Sequence, residues 1–171
     1  MNAATEFDVG PLTWVKSEID LALGRADEAL QQYTASLEAG EGDLTQIRFS
    51  RTHLHQVQGA LTIVGLDGVT QFAEVLEAFL LSLEEKAVAA DPSGVALARR
   101  ALGAVGHYLD DLINGQPNQP LRLLAIYREI QAARGQERVS ATDLFFPDLT
   151  ARPPRRDAPA KKIAPDEFHK L

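Results

Sequence analysis

In the stretch THLHQVQGALTIVG, Thr52–Gly65, a histidine at position 55 stands four residues before a glycine at 59. Imidazole is the side chain whose ordinary titration lies closest to neutral pH, so it can serve there as nucleophile or proton carrier. On an α-helix, the positions that share a face with a given residue lie three, four and seven residues away. For His55 these are Arg48, Arg51, Thr52, Gln58, Gly59 and Thr62, all polar or small. His55 is therefore predicted to look outward. The two arginines suit an anionic group, and the missing side chain at Gly59 lets another protein reach the ring. A glycine inside a helix costs about 1 kcal/mol relative to alanine. Open access to the ring would account for that cost, and so would a close crossing by a neighbouring helix.

Other chemistries find no support in the residue types. There are no cysteines, which excludes a disulfide framework, a thiolate metal site and a cysteine nucleophile, and is compatible with a reducing compartment. His53 is two positions from His55 and points to a different face, so the pair lacks the spacing of helical metal ligands. It is expected as a partly buried flank, and the isolated His107 and His169 are assigned no role. No serine has a candidate base nearby, and no GxxxxGK[ST] loop or glycine-rich ATP lid is present. No catalytic set, metal site or cofactor is expected, and kinase activity from these residues alone is not.

The elements that must position His55 read as helices throughout. Val15, Ile19, Ala22, Ala26, Leu30, Tyr33 and Leu37 recur at three- and four-residue steps after Pro11 and predict a first helix over roughly 12–38, ended by AGEG. Asp43 is the expected cap of the second, whose stripe is Leu44, Ile47, Leu54, Val57, Leu61 and Val64 before Gly65. Val69 to Leu83 form a third, which ends before Asp91-Pro92-Ser93, and a fourth runs to about Ile113. After NGQPNQP, Leu123, Ile126 or Tyr127, Ile130 and Ala133 predict a fifth helix that stops at Gly135. Trp14, Phe72 and Phe79 read as core, and Glu84-Glu85-Lys86 as a solvated helix end.

The fold class that follows is all-α: an antiparallel up-down four-helix bundle, with an additional C-terminal helix on its outside or across an end, and a flexible tail. The expected organisation is a lead-in over 1–11, the bundle over 12–135, an apolar docking segment over 136–150, and a flexible linker or vector-derived tail over 151–171.

The formal charge of −7 is uneven: residues 151–171 carry six Lys/Arg against three Asp/Glu, which leaves −10 on residues 1–150. An acidic body lacks the basic face a phosphate-backbone binder needs, so protein partners are expected and nucleic acid is not. The apolar runs fall short of the roughly 20 residues of a membrane span, and no signal pattern opens the chain, so no membrane insertion and a cytoplasmic setting are expected.

HQVQGALTIVG resembles the signature of histidine phosphotransfer (HPt) domains. In that signature a histidine on the second helix of a four-helix bundle is followed by lysine three residues later, glycine four later and a second glycine ten later. His55, Gly59 and Gly65 match, and Gln58 stands where the family has lysine. With LTWVKSEID, RFSRTHLHQVQGAL and FAEVLEAFL, residues 10–150 are similar to the N-terminal module of CheA-like hybrid histidine kinases that control type IV pili, the ChpA/PilL group, and to the related scaffold FimL, which lacks the histidine. The resemblance implies His55 as phosphoacceptor and Arg48, Arg51, Thr52, Gln58, Gly59 and Thr62 as the surface that meets the phosphoryl group and its carrier. It implies a receiver domain of a response regulator and a kinase domain as partners, with Mg²⁺ and most of the charge stabilisation on the partner's side. It also implies kinase and receiver domains beyond this stretch, in a pathway of twitching motility. Two functions from different classes follow: a relay module phosphorylated on His55, and a degenerate bundle that binds response regulators or pilus-polarity proteins without being phosphorylated.

Overall fold

The computed structural model describes residues 7–136 and 139–144. Five α-helices run α1 Gly10–Glu38, α2 Leu44–Val64, α3 Asp67–Glu84, α4 Pro92–Ile113 and α5 Leu124–Ala133, with 3-10 turns at Pro120–Leu123 and Ala141–Asp143. Among the described residues there is no strand.

Local chemistry sets the ends. Pro11 falls in the first turn of α1, where its missing N–H costs nothing, and the Asp8 carboxylate accepts from the Gly10 N–H at 2.9 Å, so this helix begins two residues earlier than expected. Asp43 caps α2 by accepting from the Thr45 N–H, and Gly65 closes the helix at φ +87°, a left-handed conformation that glycine adopts without penalty. Asp91 accepts from the Gly94 N–H and Pro92 opens α4.

The first four helices pack as an Hpt-like bundle with each next to the following one and α1 against α4. Cross-helix pairs fix the antiparallel directions. Lys16 of α1 meets Asp110 of α4, and Asp27 meets Arg99, so residue numbers rise along one helix as they fall along the other. The Tyr33 hydroxyl donates to the Ala90 carbonyl at 2.6 Å and ties the end of α1 to the entry of α4. The interior is one apolar cluster that includes Leu30, Ile47, Leu54, Phe72, Phe79 and Leu109, all fully buried. Each such side chain contributes about 1.5–3 kcal/mol of transfer free energy.

α5 lies on α3 and α4, with Tyr127 and Ile130 buried and Ile126 half-buried. Gly68 opens α3 where the chain returns: a Cβ there would sit 2.2 Å from Pro120 Cγ and 3.2 Å from the Leu144 carbonyl oxygen, so only glycine fits. Leu144 itself is fully buried. The remainder of the expected docking segment, 145–150, the tail over 151–171 and the lead-in up to residue 6 lie outside the described residues.

One core expectation is overturned. Phe72 and Phe79 are fully buried, but Trp14 is 87% exposed. The buried stripe of α1 runs through Leu12, Ile19, Ala26 and Leu30, whereas the helical neighbours of Trp14 are Ser17, Glu18 and Leu21, all exposed. Its position on the helix, not its size, decides where it points.

Candidate functional site

α2 turns Ile47, Leu54, Val57 and Leu61 into the core, which leaves His55 on the opposite side with its side chain 70% exposed. Among the described residues the ring has one side-chain partner. Its Nδ1 lies 3.1 Å from each carboxylate oxygen of Glu77, on α3. An ionised carboxylate can only accept, so the proton sits on Nδ1 and the lone pair on Nε2. Nε2 has no partner among the described residues and faces outward. A neutral imidazole held in this tautomer presents a bare nucleophilic nitrogen.

His55–Glu77 is one rung of a polar ladder between α2 and α3. The Gln58 amide donates to Glu74 at 3.2 Å, and the Nε groups of Arg48 and Arg51 donate to the two carboxylate oxygens of Glu84 at 2.7 and 3.0 Å. Partial burial alone would raise the Glu84 carboxyl, but the hydrogen bonds from Arg48 and Arg51 outweigh it and hold it below the usual carboxylate range. One expectation changes here. Glu84 is no solvated helix end, because its side chain is 11% exposed and clasps two arginines. Arg48 and Arg51 share the predicted face, yet their hydrogen bonds run to Glu84 and not to the His55 ring.

The remaining face residues stay on their own helix. The Thr52 and Thr62 hydroxyls donate to the Arg48 and Gln58 carbonyls one turn back, each at 2.9 Å. A Cβ at Gly59 would meet nothing within 4 Å, so no crossing helix demands a small residue there. The helix bears the cost of this glycine without gaining any internal packing, and the surface one turn beyond His55 is left bare. Among the described residues, no group of three or more His, Asp or Glu could hold a metal ion.

With this geometry in place, comparison with known families gives one match, the Hpt domain, over residues 13–115, from the first turns of α1 to just beyond α4. The chain belongs to the Hpt domain family. No curated protein matches it, and no solved structure does. Membership implies a role in phosphotransfer signalling, and Hpt domains generally interact with the receiver domains of response regulators. The match extends to the family and not to a particular pathway.

In this Hpt domain, the residue in the place of the family's lysine is Gln58, whose amide nitrogen is committed to Glu74 and whose Oε1 is buried without a partner. The face around His55 therefore carries no uncommitted cation among its sequence-predicted members. Sequence reasoning missed Glu77, which controls the ring. It lies 22 residues from His55, and only the register of α3 against α2 brings the two together. Ile63 and Phe49, 86% and 48% exposed on α2, lie outside the six face positions that sequence reasoning singled out. His53 is half-buried as expected, with its Nδ1 unpartnered.

Proposed function

We propose that this Hpt domain accepts and donates a phosphoryl group on Nε2 of His55. The observation that carries the reading is the pairing of Nδ1 with Glu77, which leaves Nε2 bare on an open helix face. The Nε2 lone pair forms the N–P bond as the P–O bond of the donor breaks. The donor is an acyl phosphate on a receiver aspartate or the terminal phosphoryl of ATP on a kinase domain, and the electron pair leaves with its oxygen. The proton stays on Nδ1, so the phosphorylated ring carries a positive charge that the Glu77 carboxylate balances. In the reverse direction a carboxylate oxygen of the receiver aspartate forms the P–O bond as the N–P bond breaks, and the N–P electron pair returns to Nε2. Arg48, Arg51, Thr52, Gln58, Gly59 and Thr62 form the surface that meets the partner, with Gly59 giving clearance.

The wider setting we infer is cytoplasmic, in a chemotaxis-type pathway that governs type IV pili and twitching motility. The support is the likeness of LTWVKSEID, RFSRTHLHQVQGAL and FAEVLEAFL to the N-terminal modules of such kinases. No described helix is long and apolar enough to cross a membrane. A second reading, a scaffold that docks receivers without chemistry, is favoured by one observation: the amide of Gln58 replaces the family's cation and is tied to Glu74.

Intact-mass measurement after mixing the chain with a phosphorylated receiver or a kinase domain, at a pH that preserves the acid-labile N–P bond, decides between them. The relay reading expects one added phosphoryl group that a His55→Gln variant does not acquire. Receiver binding with no added mass would leave the scaffold.

A further inference from the structure

A phosphoryl group on His55 would add close to two negative charges to a face whose cations are already committed. The phosphorylated ring is an imidazolium, and the Glu77 carboxylate at Nδ1 balances it. Arg48 and Arg51 are both held by Glu84. Glu74 has no such partner. It stands exposed on α3, one turn before Glu77, and its hydrogen bond comes from the neutral amide of Gln58. Its neighbours on the helix surface, three, four and seven residues away, are Asp67, Thr70, Gln71, Glu77, Ala78 and Leu81, none of them basic. The same offsets from Gln58 include one arginine or lysine, Arg51, which Glu84 already holds.

The antiparallel register puts these groups on successive rungs, His55 with Glu77 and Gln58 with Glu74. Rungs three residues apart are about 4.5 Å apart along the axis, so the Glu74 charge lies roughly 8 Å from phosphorus on Nε2. At that distance a carboxylate and a dianion repel enough to shift an equilibrium roughly fourfold in a water-like medium of low salt. The repulsion is screened away at about 1 M salt, where charges are felt over only about 3 Å. A lysine at position 58 would cancel the Glu74 charge, whereas glutamine leaves it in place.

We propose that Glu74, uncompensated by Gln58, raises the transfer potential of the phosphoryl group on His55 and so biases this domain toward donation. This rests on the phosphoacceptor reading of His55. Whichever donor charges the ring, the repulsion lowers its occupancy at equilibrium. It equally favours the step that discharges it, in which an aspartate carboxylate oxygen forms the P–O bond as the N–P bond breaks and its electron pair returns to Nε2. On this account Gln58 sets the direction of flow in a live site, and Glu74 is the residue through which it acts.

Phosphoramidate tests this without a protein partner: Nε2 forms its N–P bond as that of phosphoramidate breaks, and ammonia leaves. The full chain is equilibrated with phosphoramidate and ammonia at a fixed ratio and an ionic strength of about 0.01 M. The ratio of charged to free His55 is read from the phosphorus-31 resonance that a His55→Gln variant lacks. Glu74→Gln and Gln58→Lys are each expected to raise that ratio roughly fourfold, with circular dichroism unchanged, and the rise is expected to vanish at about 1 M salt. Glu41→Gln makes an equal change of charge before the start of α2, more than about 15 Å along the axis from His55. It is expected to shift the ratio by less than about twofold. Ratios within about twofold of wild type in both site variants, with His55 charged, overturn the bias and leave the phosphoacceptor reading standing. An equal rise in Glu41→Gln assigns the effect to net charge and also overturns the bias. Absence of any resonance that depends on His55 overturns both.

Discussion

At the scale of single residues the site comes down to where one proton sits. Glu77 holds it on Nδ1 of His55 at 3.1 Å, which leaves Nε2 as the nucleophilic nitrogen and, under the proposed relay, supplies the counter-charge for a phosphorylated ring. Hydrogen bonds to a charged partner are worth about 1.5–3 kcal/mol. Glu77→Gln, which keeps the shape and removes the charge, is therefore expected to slow phosphoryl transfer about tenfold or more in rapid-quench kinetics, with the fold intact by circular dichroism. Gly59→Leu acts differently. Nothing inside the molecule occupies the space beside Gly59, so the bundle should melt normally while receiver binding, read by calorimetry, weakens at least tenfold from steric obstruction. Normal binding by a folded Gly59→Leu variant would remove this surface from the docking site. His55 and Gly59 were legible in the sequence because their relation is local to one helix. Glu77 was not, since its place beside the ring depends on how far α3 slides along α2, and hydrophobic periodicity does not encode that offset.

At the scale of elements, the reactive helix is held in place by its partner helix through polar pairs as well as core contacts. The firmest is the Glu84 clasp on Arg48 and Arg51, which ties the first half of α2 to the end of α3. Its carboxyl sits below its ordinary value in the folded state. The stability it contributes is therefore complete above the unfolded-state value and is lost as pH falls through the depressed folded value. Glu84→Gln is expected to cost about 1 kcal/mol at neutral pH, and the gap from wild type should close on acidification below pH ~4. Chemical denaturation at the two pH values measures this, and a gap that stays constant or widens would contradict the clasp. Helix positions and caps were readable because Asp43, Gly65, Asp91 and Pro92 act within a few residues of themselves. Trp14 misled because residue type suggested burial while its place on α1, beside Glu18 and Leu21, dictated exposure.

At the scale of the whole molecule, the bundle is completed by chain that follows it. Leu144 is fully buried, and its carbonyl lies close against Gly68 at the start of α3. Leu144→Ala is expected to destabilise the protein by about 2–4 kcal/mol in urea titration, whereas a change under about 0.5 kcal/mol would mean that the bundle does not depend on this contact. The all-α class was legible because every apolar stripe repeats at helical spacing. An apolar docking segment was expected over 136–150, but the seat of Leu144 beside Gly68 was not legible, because a single leucine in a short turn carries no period. On the proposed function the bundle presents one nitrogen, and the most direct test is to find where the phosphorus goes. Nitrogen-15 and phosphorus-31 NMR of the full chain after charging by a phosphorylated receiver is predicted to show one phosphohistidine at position 55, bonded through Nε2, with the proton on Nδ1. Phosphorus on Nδ1, on another residue or nowhere in a chain that still binds the receiver would contradict the account.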